Sequence, residues 1–183
     1  MRCEAVALIF QYGSNMSAAR LNSSDRLRDD AHPIGIAYTK DNYELEFDIW
    51  SESNDCAAAD IVRCTGRKIW GIVYEIPDWL ISRDTAGSRK SLDEIEGEGT
   101  NYSRLPITLC YSDCTPFRGT VQTYIGRDRR QGIKTSLKYV RHILLGLKEH
   151  KNEVPNEYVQ YVKDRITVNN PDLRDMLNSI EDI

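Results

Sequence analysis

The stretch YELEFDIW (43–50) decides the fold class. Tyr43, Leu45, Phe47 and Ile49 alternate with Glu44, Glu46 and Asp48. This is the period of two that a strand with one buried and one wet face requires. Working outward, similar apolar or alternating runs occupy 6–10, 33–40, 60–64, 68–76, 106–111 and 120–126, so seven strands are predicted. Lys40-Asp41-Asn42 predicts a hairpin turn in front of the 43–50 strand, because Asp and Asn side chains bond their own backbone.

After residue 134 the period changes. Leu137, Val140, Leu144 and Leu147 follow helical spacing behind Thr135 and Ser136, two candidate N-caps. A second helix is expected near Asn156, with Tyr158, Val159 and Val162 on one face. A third follows Asn170-Pro171, with Leu173, Met176, Leu177 and Ile180 on its apolar side. Strands first and helices later make an α+β order, which predicts a strongly curved or closed sheet with helices packed outside. Residues 22–31, 51–59 and 82–91 read as loops.

Composition excludes several classes. A chain of 183 residues and 21.0 kDa is the size of one domain with room for a terminal extension. No apolar run approaches the roughly 20 residues that span a bilayer, and the N-terminal segment lacks the parts of a signal peptide. The expectation is a cytoplasmic protein with no membrane partner. Five cysteines, Cys3, Cys56, Cys64, Cys110 and Cys114, are an odd number and favour reduced thiols. Cys110-x3-Cys114 lacks a second ligand pair at zinc spacing among His32, His142 and His150, so no metal is expected. A net charge of −4 argues against nucleic acid as a partner. GRDRRQGIKT (126–135) has the wrong glycine and lysine register for a phosphate loop. Ser14 lacks the flanking glycines of a nucleophile elbow.

Two stretches survive this sifting. Tyr12-Gly13-Ser14-Asn15 interrupts an apolar run, and Gly13 invites a turn whose N–H groups cradle an anion. SLDEIEGEGTNYSR (91–104) places Asp93, Glu94, Glu96 and Glu98 beside two glycines and Tyr102. An ordinary strand-ending turn and a solvated acidic loop would account for both just as well.

The order of features resembles the γ-glutamylcyclotransferase-like family, which includes the γ-glutamylamine cyclotransferases. The resemblance rests on FQYGSNM (10–16), IWGIVYEI (69–76), SLDEIEG (91–97) with Tyr102 and Arg104 behind it, Tyr124 in VQTYIG, and SLKYVRHILLGLKEHKNEVPNEYVQYV (136–162). It covers roughly residues 5 to 165. It implies a small mixed β-barrel with peripheral helices over 1–165, followed by a C-terminal helical extension over 166–183. It also implies a cavity for a γ-glutamyl substrate, with the backbone of Tyr12, Gly13, Ser14 and Asn15 at its anionic end. Glu96 takes the place of the catalytic glutamate, and Tyr102 and Tyr139 those of pocket-lining tyrosines.

The implied reaction is intramolecular aminolysis, in which the substrate's α-amine closes on its γ-carbonyl to release 5-oxoproline and an amine or amino acid, with no metal or organic cofactor. The sequence departs from the family pattern at Leu145-Gly146-Leu147 and Val154-Pro155, which bear on substrate identity. A binding domain of the same fold that holds a small acidic metabolite is the alternative. A carboxylate at position 96 argues against it, since an anion binder gains nothing from one. Neither the leaving amine nor the oligomeric state is legible at this level.

Overall fold

The computed structural model describes residues 5–179. In chain order they form β1 (Val6–Gln11), a 3-10 turn (Ser14–Met16), α1 (Ala18–Leu21), β2 (His32–Thr39), β3 (Tyr43–Ser51), β4 (Cys56–Arg63) and β5 (Trp70–Pro77). After a 3-10 turn at Asp78–Leu80 come α2 (Leu92–Glu96), β6 (Tyr102–Ile107), β7 (Leu109–Cys110), β8 (Val121–Gly126), α3 (Leu137–Glu149) and α4 (Asn156–Asn169). A 3-10 turn at Pro171–Leu173 then leads into α5 (Arg174–Ser179).

Six strands make one mixed sheet in the order β6-β8-β1-β5-β2-β7, curled into a half-barrel, while β3 and β4 form a separate ribbon. The α+β class is as expected, with β1 at the centre, parallel to β8 and antiparallel to β5. No helix among the described residues is long and apolar enough to cross a membrane.

The turn at Lys40–Asn42 does not close a hairpin, contrary to its sequence signature. β2 pairs with β5 and β7, whereas β3 leaves the sheet and pairs with β4. The other edge of β3 has a single bridge, Ile49 to Arg129, and side chains of α4 cover its middle. The Leu45 N–H donates to the Tyr161 hydroxyl at 2.9 Å, Arg165 Nε donates to the Leu45 carbonyl at 2.8 Å, and Asn169 Nδ2 donates to the Phe47 carbonyl at 3.0 Å. Arg165 also pairs with Glu44 and Glu46 on the wet side of the strand. The helix thus satisfies backbone groups that a neighbouring strand would otherwise bond.

β4 begins at Cys56, inside the segment read as a loop, because Ala57-Ala58-Ala59 carries no visible period in sequence yet is buried here. The predicted 106–111 strand is likewise two pieces, the end of β6 and the short β7.

Alternation in β3 holds: Tyr43, Leu45, Phe47 and Ile49 are all buried. In α3 the Ser136 hydroxyl accepts the Tyr139 N–H at 3.2 Å, which caps the helix as its sequence suggests. Its face of Tyr139, Val140, Ile143, Leu144 and Leu147 packs into the core. A Cβ on Gly146 would come within 2.7 Å of the Met16 carbonyl carbon, so this glycine lets α3 lie directly on the turn after β1. In the last segment Leu173 and Leu177 are buried, but Met176 faces outward; Ile180 lies outside the described residues. Cys56, Cys64, Cys110 and Cys114 are free thiols.

Candidate active site

Three connections converge at the C-terminal end of β1. The strand delivers Gln11 and then the Tyr12–Asn15 segment, α3 delivers Tyr139, and α2 delivers Glu96. The short helix α2 forms because its start and end are both specified. Ser91 and Glu94 make a capping box, in which the Glu94 N–H donates to the Ser91 hydroxyl at 3.2 Å and the Ser91 N–H donates to the Glu94 carboxylate at 2.9 Å. Gly97, at φ 70°, takes the left-handed conformation that stops the helix directly after Glu96.

This local structure separates acids that the sequence leaves crowded. Glu94 is used by the cap. Asp93 faces the sheet, where its carboxylate receives Arg104 at 3.0 and 3.3 Å and the Tyr124 hydroxyl at 2.7 Å. Glu96, one helical turn further, points instead at the loop after β1. Its Oε1 accepts Gln11 Nε2 at 2.9 Å and Asn15 Nδ2 at 2.8 Å. The Asn15 amide is held in that sense by Arg26, whose Nη1 donates to Asn15 Oδ1 at 2.9 Å.

Enclosure by protein pushes the Glu96 carboxyl above its ordinary range, since burial disfavours the charged form. The two amide donors pull the other way, followed by the fields of Arg26 and Arg20. The side chain still reaches the cavity, so it is both perturbed and accessible. A carboxylate in that condition is a better proton acceptor near neutral pH than a solvated one.

Tyr12, Gly13, Ser14, Asn15, Glu96, Tyr102 and Tyr139, the seven residues singled out in the sequence, all line one inner cavity of about 30 Å³. Gln11, Ala59 and Tyr124 complete it. It continues into a mouth of about 210 Å³ that shares Ser14, Asn15, Glu96, Tyr102 and Tyr139 with it.

The tyrosine hydroxyls mainly brace the wall. Tyr102 donates to the Ala59 carbonyl at 2.7 Å, and the Ala59 N–H donates to Tyr139 at 2.9 Å, so both hydroxyls hold one residue of β4. Tyr12 donates to the Tyr124 carbonyl at 2.6 Å. Burial raises the pKa of all three phenols, which stay protonated.

Gly13 does not take the conformation that its sequence suggests. Its φ of −100° is not left-handed. A Cβ there would sit in ordinary contact, 3.4 Å from the Ala59 Cβ and 3.6 Å from the Tyr139 hydroxyl, which leaves little room for anything larger. The segment continues as a 3-10 turn, closed by the Met16 N–H donating to the Gly13 carbonyl at 3.0 Å. The first N–H groups of such a turn, on Ser14 and Asn15, have no partner within it.

Gln11, Arg20, Arg26 and Ala59 belong to the site but were not singled out in the sequence. Gln11 had one readable signal, as a polar residue ending an apolar strand just before Tyr12. The others are placed only by tertiary contacts.

The curled sheet and the carboxylate-bearing cavity at the end of β1 define an α+β half-barrel with one candidate active site. Among solved structures, an uncharacterized protein from Homo sapiens is 25% identical with a TM-score of 0.69, over 87% of this chain and 88% of its own. A structure described as gamma-glutamyl cyclotransferase is 23% identical with a TM-score of 0.70, over 87% of each chain. YkqA from Bacillus subtilis is 21% identical with a TM-score of 0.70, over 90% of this chain and 55% of its own. No curated protein matches the sequence. The family described as Gamma-glutamyl cyclotransferase, AIG2-like matches residues 9–141, and the chain belongs to that family.

Proposed function

We propose that this protein is a γ-glutamyl cyclotransferase that converts a γ-glutamyl compound to 5-oxoproline and a free amine, with Glu96 as general base and then general acid. The observation that carries this reading is the enclosed Glu96 carboxylate, held by Gln11 and Asn15 on the rim of the cavity that the Tyr12–Asn15 turn closes.

The substrate supplies its own nucleophile, so attack is intramolecular and the enzyme need only fold the chain and manage protons and charge. An inner cavity of about 30 Å³ holds little more than the reacting centre, so the glutamyl group would extend into the mouth. Glu96 takes a proton from the α-ammonium. The freed amine nitrogen bonds to the γ-carbonyl carbon, and the carbon–nitrogen bond to the leaving group breaks. Protons shed by the α-nitrogen end on the departing amine, carried by Glu96, so the reaction consumes no cofactor. The N–H groups of Ser14 and Asn15 are the candidates for stabilising the tetrahedral oxygen, where one such donor elsewhere contributes about 3 kcal/mol.

Incubation with γ-glutamyl amino acids and amines, reading 5-oxoproline by mass spectrometry, tests the reading. Glu96→Gln should lower turnover at least about a hundredfold. Acetylating the substrate's α-amine should abolish 5-oxoproline release. Retained turnover in Glu96→Gln, or glutamate in place of 5-oxoproline as the product, overturns the proposal.

A further inference from the structure

The mouth does not end at the protein surface. It shares Arg20, Arg26, Ser53, Asn54, Glu94 and Ile95 with an outer cleft of about 580 Å³. A protein of net charge −4 lines this cleft with four cations, Arg20, Arg26, Lys90 and Lys138, against two carboxylates, Asp25 and Glu94. Both carboxylates are already engaged: Asp25 accepts the Ser23 hydroxyl at 2.6 Å, and Glu94 accepts the Ser91 N–H and hydroxyl at 2.9 and 3.0 Å.

Among the described residues neither arginine has a carboxylate partner. Arg26 donates to Asn15, Arg20 donates to Asn54 at 2.9 Å, and the buried Arg20 Nε has no acceptor at all. The two guanidiniums repel one another: after burial, Arg26 is the main cause lowering the pKa of Arg20. His142 in the same cleft is pushed down to about 4, first by burial and then by Arg20, Arg26 and Lys138. Unpaired cations that repel each other along an exit path favour an anion there.

Resting on the cyclotransferase reading, we infer that the leaving amine is an acidic amino acid or acidic peptide, whose carboxylates lie in the outer cleft. The first would meet Arg20 and Arg26, which line both the mouth and the outer cleft. The second would reach Lys90 and Lys138 beyond them, positions that line the outer cleft only.

γ-Glutamyl-glutamate, γ-glutamyl-glutamine and γ-glutamyl-butylamine carry two, one and no charges on the leaving group, and the first two share one shape. Calorimetric titration of the full-length Glu96→Gln protein should give affinities falling in that order, by roughly tenfold per charge. The spread should shrink with added salt. In Lys90→Gln/Lys138→Gln the glutamate and glutamine compounds should bind alike, and wild-type kcat/KM should follow the same order. Equal affinities for glutamate and glutamine compounds, or a preference unchanged by the lysine substitutions, overturn the inference even if 5-oxoproline forms from all three. Absence of 5-oxoproline from every substrate instead removes the cyclotransferase reading, while the titrations still judge the cleft.

Discussion

Asp48 provides a sharp test of the electrostatics that hold β3, β4 and β8 together. Its neighbour Asp60 is fully buried, with Oδ1 accepting the Gly126 N–H at 2.6 Å and Oδ2 accepting Arg129 Nε at 2.8 Å. Asp48 must share that arginine from 3.7 Å away, and its Oδ1 has no hydrogen-bond partner. Burial first, and the Asp60 charge second, push its carboxyl from 3.8 to about 6, with Arg129 opposing. At 1.36 kcal/mol per tenfold, that rise corresponds to about 3 kcal/mol. The side chain is 22% exposed, so screening by water reduces the expected effect to about 1–2 kcal/mol.

The sign follows from the raised folded-state value. Stability from this group is fully present below 3.8 and is lost as pH rises through about 6. Asp48→Asn, neutral and nearly isosteric, should therefore exceed wild type by about 1–2 kcal/mol at pH 7.5, with the gap closing toward pH 4. Urea unfolding followed by circular dichroism across that range measures the gap. A pH-independent difference, or a less stable Asn variant at pH 7.5, would refute the argument.

Three further outcomes follow. Glu96 also has a raised folded-state value, so its contribution to stability is present below its ordinary carboxylate range and lost as pH rises; Glu96→Gln should lose activity yet unfold at no lower urea concentration than wild type at pH 7.5. Arg104→Met leaves the buried Asp93 with only the Tyr124 hydroxyl and should destabilise by about 3–5 kcal/mol in the same assay; a loss under 1 kcal/mol would mean the pair is screened. Gly13→Val should drive a branched side chain against Ala59 and Tyr139 and abolish binding of 5-oxoproline, whereas Ser14→Ala should weaken it less; the reverse order in calorimetry would show that the Ser14 hydroxyl, not the main chain, makes the contact.

The sequence by itself determined what depends on neighbours close along the chain. Alternation in 43–50 marks a strand because period two is a local property, and Leu137 to Leu147 marks a capped helix for the same reason. The capping box of Ser91 and Glu94 was legible in principle, but five residues are too few for a helical period, so α2 read as an acidic loop.

Only tertiary structure decided that β3 pairs with β4 and not β2, because the choice rests on α4 side chains more than a hundred residues away covering the middle of its other edge. It also sorted the acids. Asp93 and Glu96 are alike in sequence, and they diverge because Arg104 and Tyr124 meet one while Gln11 and Asn15 meet the other across 85 and 81 positions. Burial, which perturbs Glu96, is a property of everything packed around it, and no stretch of chain carries it alone.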